Sequence, residues 1–271
     1  MTTAIVWFRR DLRLADNPAL TRALATCERV VPLFIHAPEE AGDWRPGAAS
    51  DWWLHHGLSA LAEDLERAGS RLILRRGPSL TALRDLIRET GADQVFWNRL
   101  YEPAAIARDR QIKQALREDG LRVESCNGSL LFEPWDVRKD DGTPFKVFTP
   151  FWKACLRRGL PMDAAPAPDA LPAVSPTIAS LPVAGLGLLP RVRWDAGLEQ
   201  AWTPGEAAAQ RCLTGFLEAG VGAYDRDRNR PDLAGTSRLS PYLHLGEIGP
   251  RQIVSAATRA GLEGEGLRVF L

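Results

Sequence analysis

Five short apolar runs alternate with helix-period stretches over the first 130 residues, and that alternation leaves few folds open to this part of the chain. The runs cover residues 4–8 (AIVWF), 30–35 (VVPLFI), 71–74 (RLIL), 94–98 (QVFWN) and 121–125 (LRVES). Each is too short for a helix, and most are rich in β-branched or aromatic residues, so each predicts a strand. Between them, residues 50–69 set Leu54, Leu58, Leu61, Leu65 and Ala68 on one helical stripe that Gly69 closes. Residues 79–91 put Leu80, Leu83, Leu86 and Ile87 on one face, with Ser79 as the expected cap and Gly91 as the stop. Residues 103–119 turn Ile106, Ile112 and Leu116 inward. Strands joined by helical crossovers pair in parallel, and such a sheet is covered on both faces. Its ligands sit outside the carboxyl ends of the strands. The loops there hold neither G-x-G-x-x-G nor a Walker sequence, which disfavours a standard dinucleotide or P-loop site.

Residues 161–204 change character. They hold 8 of the 20 prolines with little periodicity, as expected of a connector that drapes over a surface or links two bodies. Helical signals then return. Thr203-Pro204-Gly205-Glu206 reads as a capping box, followed by Ala209, Cys212, Leu213, Phe216 and Leu217, with Gly220 or Gly222 as the stop. Ser240-Pro241 and Gly249-Pro250 read as two further helix starts, and no strand pattern intrudes, so the second body is expected to be all-helical. It spans only about 70 residues, marginal for an independent core. The apolar end at 266–271 carries no stop signal, so more chain is expected to follow.

Composition excludes more than it selects. With 45% apolar and 25% charged residues, disorder and collagen are excluded. Lys+Arg and Asp+Glu are both 34, so no polyanion footprint stands out. Cys27, Cys126, Cys155 and Cys212 form no C-x-x-C pair, which argues against zinc and against a disulfide framework. The N-terminus lacks a signal-peptide run and no 18-residue apolar stretch occurs, so a soluble cytoplasmic protein is expected. Of the 34 basic residues 30 are Arg, which reflects either base composition or phosphate recognition.

Two segments concentrate chemistry. Thr236, Ser237, Arg238, Leu239 and Ser240 precede a Pro-started helix; their hydroxyls and guanidinium suit a phosphate, and equally suit plain capping. Upstream, Tyr224 either stacks on a ring or packs, and Arg226, Arg228 and Arg230 alternate with Asp225, Asp227 and Asn229 as in a solvated loop. The second segment is F-R-R-D-L-R at 8–13. Its arginines either bind an anion or pair with Asp11 and Asp16 to brace the loop. Glu102, at the mouth of the fourth strand, accepts from a ligand or caps the helix at Pro103. His55, His56 and His244 read as structural.

At this point three ordered motifs become recognisable. F-R-R-D-L-R-L-A-D-N-P-A-L at 8–20, K-V-F-T-P-F at 146–151 and G-T-S-R-L-S-P-Y-L-H-L-G at 235–246 together resemble the DNA photolyase/cryptochrome family, nearest in flavour to bacterial cyclobutane pyrimidine dimer photolyases. The resemblance implies a five-stranded, parallel, Rossmann-like α/β antenna domain over residues 1–130. A connector over 131–198, Pro-rich from 161, would lead to the incomplete start of an all-α FAD-binding domain over 199–271. It also implies light-driven repair by an electron passed from excited reduced FAD, or a cryptochrome-like receptor without repair. A stand-alone antenna or nucleotide-binding module is the third reading. Tyr224 would lie against the flavin, and Thr236, Ser237, Arg238, Leu239 and Ser240 would hold the FAD phosphates. Arg228 would face UV-damaged DNA. Arg10, Phe34 and Glu102 are candidates for an antenna pigment, methenyltetrahydrofolate or 8-hydroxy-deazaflavin. A monomer with no membrane and no obligate protein partner is expected. The family's W-R-E-F segment, its dimer pocket and its electron-relay tryptophans have no counterpart here. Phe270 stands where relatives often carry Trp, and these 271 residues alone are expected to be inactive and to hold FAD weakly.

Overall fold

The computed structural model describes residues 2–261 and 263–271. Five parallel strands, β1 (Thr3–Phe8), β2 (Arg29–His36), β3 (Ile73–Arg76), β4 (Gln94–Asn98) and β5 (Arg122–Cys126), lie in the order β3-β2-β1-β4-β5. The central β1 is buried along its whole length. Its two-residue period sends Ala4, Val6 and Phe8 into one core, and Ile5 and Trp7 into another with Leu33, Val95 and Trp97. Helix α1 (Pro18–Thr26) follows β1, α2 (Ala48–Arg67) precedes β3, α3 (Ser79–Thr90) follows it, and α4 (Pro103–Glu118) joins β4 to β5. The expected α/β sheet is therefore present, with helices on both faces.

Local corrections have identifiable causes. Helix α1 starts on a short signal, Asn17-Pro18, in which the Asn17 side chain accepts from the Leu20 N–H. The third strand lies two residues beyond the expected run. Ser79 does not cap α3; it is the first helical residue, and its N–H and hydroxyl both donate to the Glu40 carboxylate, each at 2.6 Å. Ile106 faces outward, because Asp109 on the same helix turns inward to meet Arg9.

The connector contains helix α5 (Phe148–Arg158) and then runs irregularly along the sheet edge. The Leu181 N–H donates to the Leu74 carbonyl at 3.1 Å, and the Leu74 N–H donates to Ser180 Oγ at 2.9 Å. The open edge of β3 is thereby covered, which removes a template for association. Six helices follow: α6 (Ala196–Ala201), α7 (Glu206–Gly215), α8 (Tyr224–Asp227), α9 (Ser240–Leu245), α10 (Pro250–Arg259) and α11 (Glu265–Phe270). Helix α7 stops earlier than Gly220, passing into a wider turn over Phe216–Gly220. The helical body does not build a separate core. Leu213, Phe216, Leu245 and Ile253 share one apolar cluster with Phe8, Leu58 and Leu61 of the α/β domain. Among the described residues no helix is long and apolar enough to cross a membrane.

One glycine shows how closely the two bodies meet. Gly246 ends α9 at φ 67°, and a Cβ there would overlap the Arg10 carbonyl and lie 2.7 Å from the Asp11 Cα. The Gly246→Ala variant is expected to lose about 3 kcal/mol of unfolding free energy in denaturant titration. Roughly 1 kcal/mol comes from the left-handed backbone and about 2 from overlap that backbone atoms cannot relieve.

Candidate functional site

The crevice where the strand order reverses, between β1 and β4, is where an open α/β sheet ordinarily receives its ligand. Here the loop at 9–17 and the end of β4 fill it. Asn98, 4% exposed, donates to Asp11 Oδ2 at 2.6 Å and to Asn17 Oδ1 at 2.8 Å, and it accepts from the Ala19 N–H at 3.2 Å. Arg9 enters the sheet's second face, pairing with Asp109 at 2.5 Å and lying 4.6 Å from the Trp7 ring centre. Burial lowers its pKa. The arginines do brace the loop, but not chiefly through the expected carboxylates: Arg9 pairs with Asp109 rather than Asp11 or Asp16, and Arg13 donates to backbone carbonyls. That guanidinium is 1% exposed and donates to the carbonyls of Gly246 (2.9 Å), Asp16 (2.8 Å), Gly128 (2.7 Å) and Ala15 (3.0 Å).

The same loop seats the helical body. The Leu12 N–H donates to the Leu245 carbonyl at 3.1 Å, and Arg251 pairs with Asp16 at 3.0 Å. Glu206 is not the acid of a capping box. It is the first residue of α7, and its carboxylate accepts from the N–H groups of Leu14 (2.6 Å) and Ala15 (3.0 Å). Burial raises its pKa against the pull of those two donors. Glu247, fully buried, accepts from Trp53 Nε1 of α2 and from the Gly205 N–H, both at 2.9 Å. Among the described residues no cation pairs with it, and burial pushes its pKa up to about 7. Gly57 makes room for it, since a Cβ there would stand 2.6 Å from its oxygen. Asn98 and Glu247 were not singled out from sequence, and Glu206 was read only as a cap; their partners lie far away along the chain, and no local spacing signals them.

These contacts hold the segment at 235–240. Gly235 is pressed onto the backbone of Asp227, which brings the loop of Tyr224 and Arg228 beside Thr236, Ser237, Arg238, Leu239 and Ser240. Tyr224 meets Phe216 and Phe270 edge-on, each at 5.5 Å between ring centres. The exposed Arg228 lies 5.9 Å from the Tyr224 ring. Leu239 is buried and is the residue that precedes α9, so Ser240 starts the helix rather than capping it. The hydroxyls of Thr236, Ser237 and Ser240 take no hydrogen bond from, and give none to, any described residue, while the Ser237 carbonyl accepts from the Cys212 thiol at 3.1 Å. Arg238 holds a left-handed backbone at φ 53°, a conformation that costs a non-glycine residue about 1 kcal/mol. Its guanidinium lies 4.0 Å over Trp202 and donates to the Ala201 carbonyl at 3.1 Å. Three free hydroxyls, a held guanidinium and a left-handed residue next to a right-handed one form a donor set suited to phosphate oxygens.

The remaining candidates lie elsewhere. Arg10 and Glu102, both part-exposed, form an ion pair with each other at the strand mouths. Phe34 is buried in the core, opposite Leu74 of β3. His244 is exposed, and its pKa is lowered by partial desolvation and by Arg10.

The DNA photolyase family model matches residues 4–173. A deoxyribodipyrimidine photo-lyase of Agrobacterium fabrum is 43% identical over 250 residues, covering 92% of this chain and 52% of the relative. Cryptochrome-1 of Arabidopsis thaliana is 40% identical over 258 residues, covering 92% of this chain and 37% of that protein. The crystal structure of a bacterial class III photolyase from Agrobacterium tumefaciens matches with a TM-score of 0.93 at 40% identity, covering 100% of this chain and 56% of that one. The chain thus spans about half the length of the photo-lyase it matches.

Glu247 makes the domain junction sensitive to pH. Its folded pKa of about 7 lies above the ordinary carboxylate value of 4.5, so the fold binds its proton more tightly than the unfolded chain does. The resulting stability is complete below pH 4.5 and lost as pH rises through 7, amounting to about 3 kcal/mol. Urea titrations across that window should show this decline in the native protein. The Glu247→Gln variant should lack this pH-dependent decline.

Proposed function

The chain belongs to the DNA photolyase family, and from that premise we propose that it serves light-driven repair of cyclobutane pyrimidine dimers in DNA. Reduced FAD supplies the chemistry when bound, an electron lent to the dimer under light, while the protein binds, orients and insulates it. The observation that carries the reading is the contact of Gly235 with Asp227. It gathers the ring-facing candidate Tyr224, the DNA-facing candidate Arg228 and the free hydroxyls at 236–240 into one neighbourhood.

In this reading Thr236, Ser237, Ser240 and the backbone of Arg238 and Leu239 hold the pyrophosphate, and the fixed Arg238 guanidinium offsets its charge. Arg228 has no carboxylate partner among the described residues, which leaves it free for a DNA phosphate beside an extruded lesion. Arg10, Glu102 and Phe34 stand as the antenna-pigment candidates; a ligand there would have to open the Arg10–Glu102 pair. The protein would work in the cytoplasm as a monomer. The likeness to cryptochrome-1 keeps light reception as the second reading, because it would use the same flavin site.

Titration of the purified chain with FAD tests the site. The combined Thr236→Ala, Ser237→Ala and Ser240→Ala variant is expected to weaken binding about tenfold or more, equivalent to about 1.4 kcal/mol; unchanged affinity would remove the phosphate assignment. Because these 271 residues alone are expected to be inactive, illumination of the flavin-loaded, full-length gene product with a dimer-bearing oligonucleotide separates the two readings. Restored pyrimidines support repair, whereas flavin photoreduction with intact dimers supports reception.

A further inference from the structure

We propose that Arg13, a residue of the α/β domain, is a positioning residue for the phosphate-binding segment at 236–240. The inference rests on the phosphate reading above. Arg13 belongs to the arginine-rich loop after β1, which that reading leaves without a role.

The guanidinium of Arg13 is 1% exposed, and it holds the Gly246 carbonyl at 2.9 Å from across the domain junction. Gly246 ends α9, and Ser240 begins it. A six-residue helix is about 9 Å long, so its two ends move as one piece. A shift of the Gly246 end is therefore delivered to Leu239 and Ser240, with no intervening coil to absorb it. The Leu12 N–H on the Leu245 carbonyl fixes the same end from the adjacent residue. Space leaves no alternative seat, since a Cβ on Gly246 would overlap the Arg10 carbonyl, and one on Gly249 would stand 2.8 Å from the Arg13 guanidinium. The fork of Arg13 reaches the carbonyls of Gly246, Gly128, Asp16 and Ala15 together. A lysine ammonium is a single point with three donors and cannot reproduce that spread. Arg251 offers an internal comparison. Its pairing with Asp16 also crosses the junction but does not touch α9.

The test combines hydrogen exchange and FAD titration on the full chain. Arg13→Lys keeps the buried positive charge and is the principal variant; Arg13→Gln is read beside it. In ligand-free protein, Arg13→Lys should speed amide exchange across 236–246 about tenfold while β1 and β4 stay unchanged. FAD affinity should fall by a similar factor. Arg251→Gln should leave both readouts within about twofold of the native protein. Unchanged exchange in Arg13→Lys overturns the proposal. So does faster exchange with native FAD affinity, which would make Arg13 structural only. The triple hydroxyl variant keeps the two ideas apart. If it binds FAD as the native chain does, the phosphate reading fails, whatever the exchange data show.

Discussion

A guanidinium withdrawn from water must find acceptors for its N–H groups, and Arg13 finds them on four backbone carbonyls drawn from both ends of the chain. Removing such a group from water is costly, and burial accordingly lowers its pKa. What the arrangement secures is direction. The apolar cluster shared by Phe8, Leu58, Leu213 and Ile253 supplies cohesion, but hydrophobic burial is non-directional and leaves open how one body is turned on the other. Carbonyls at fixed places on Gly246 and Gly128 admit only one seating. The crevice at β1 and β4, which other sheets of this kind leave for a ligand, is here spent on that seating through Asp11, Asn17 and Asn98.

Two glutamates, Glu247 fully buried and Glu206 part-buried, complete the junction by the same chemistry with opposite directions along the chain. Glu206 leaves the helical body to take two N–H groups of the α/β loop. Glu247 receives the Trp53 indole from α2 and the N–H of Gly205, next to Glu206 itself. Neither depends on a salt bridge. Each carboxylate accepts from neutral donors, so these two contacts respond to protons more than to ionic strength, unlike the Arg251–Asp16 pair that also crosses the junction. The response is larger at Glu247, which has no cation nearby.

Legibility in the sequence followed the range of the interaction. The five strands and the long helices were legible because their determinants are local: an apolar run, a stripe at helical spacing, a stop glycine such as Gly91 at φ 65°. Local signals also misled where a distant partner took the residue. Ser79 was claimed by Glu40, and Glu206 by Leu14 and Ala15. The inward face of α4 was redrawn by Arg9. At the candidate site the segment at 235–240 was legible from its hydroxyls and its resemblance. The junction residues Trp53, Asn98 and Glu247 were not, because their meaning lies in pairings 42 to 194 residues apart.

The arginine excess can be assessed in the same way. The sequence left base composition and phosphate recognition both open. Arg9, Arg13, Arg71, Arg76 and Arg99 all donate to backbone carbonyls of distant segments, so much of the excess binds the chain to itself. A planar fork suits this use because it can satisfy acceptors on several segments at once, which a lysine does not. Arg226 and Arg228 are different. Neither has a carboxylate or carbonyl partner among the described residues, and both are exposed on the short helical turn that Gly235 presses against the hydroxyl-bearing segment. The net charge of zero therefore averages two populations. Arginines neutralised inside the fold do not contribute a field at the surface, and Arg226 and Arg228 share their short turn with Asp225 and Asp227, so the charge there also sums to zero.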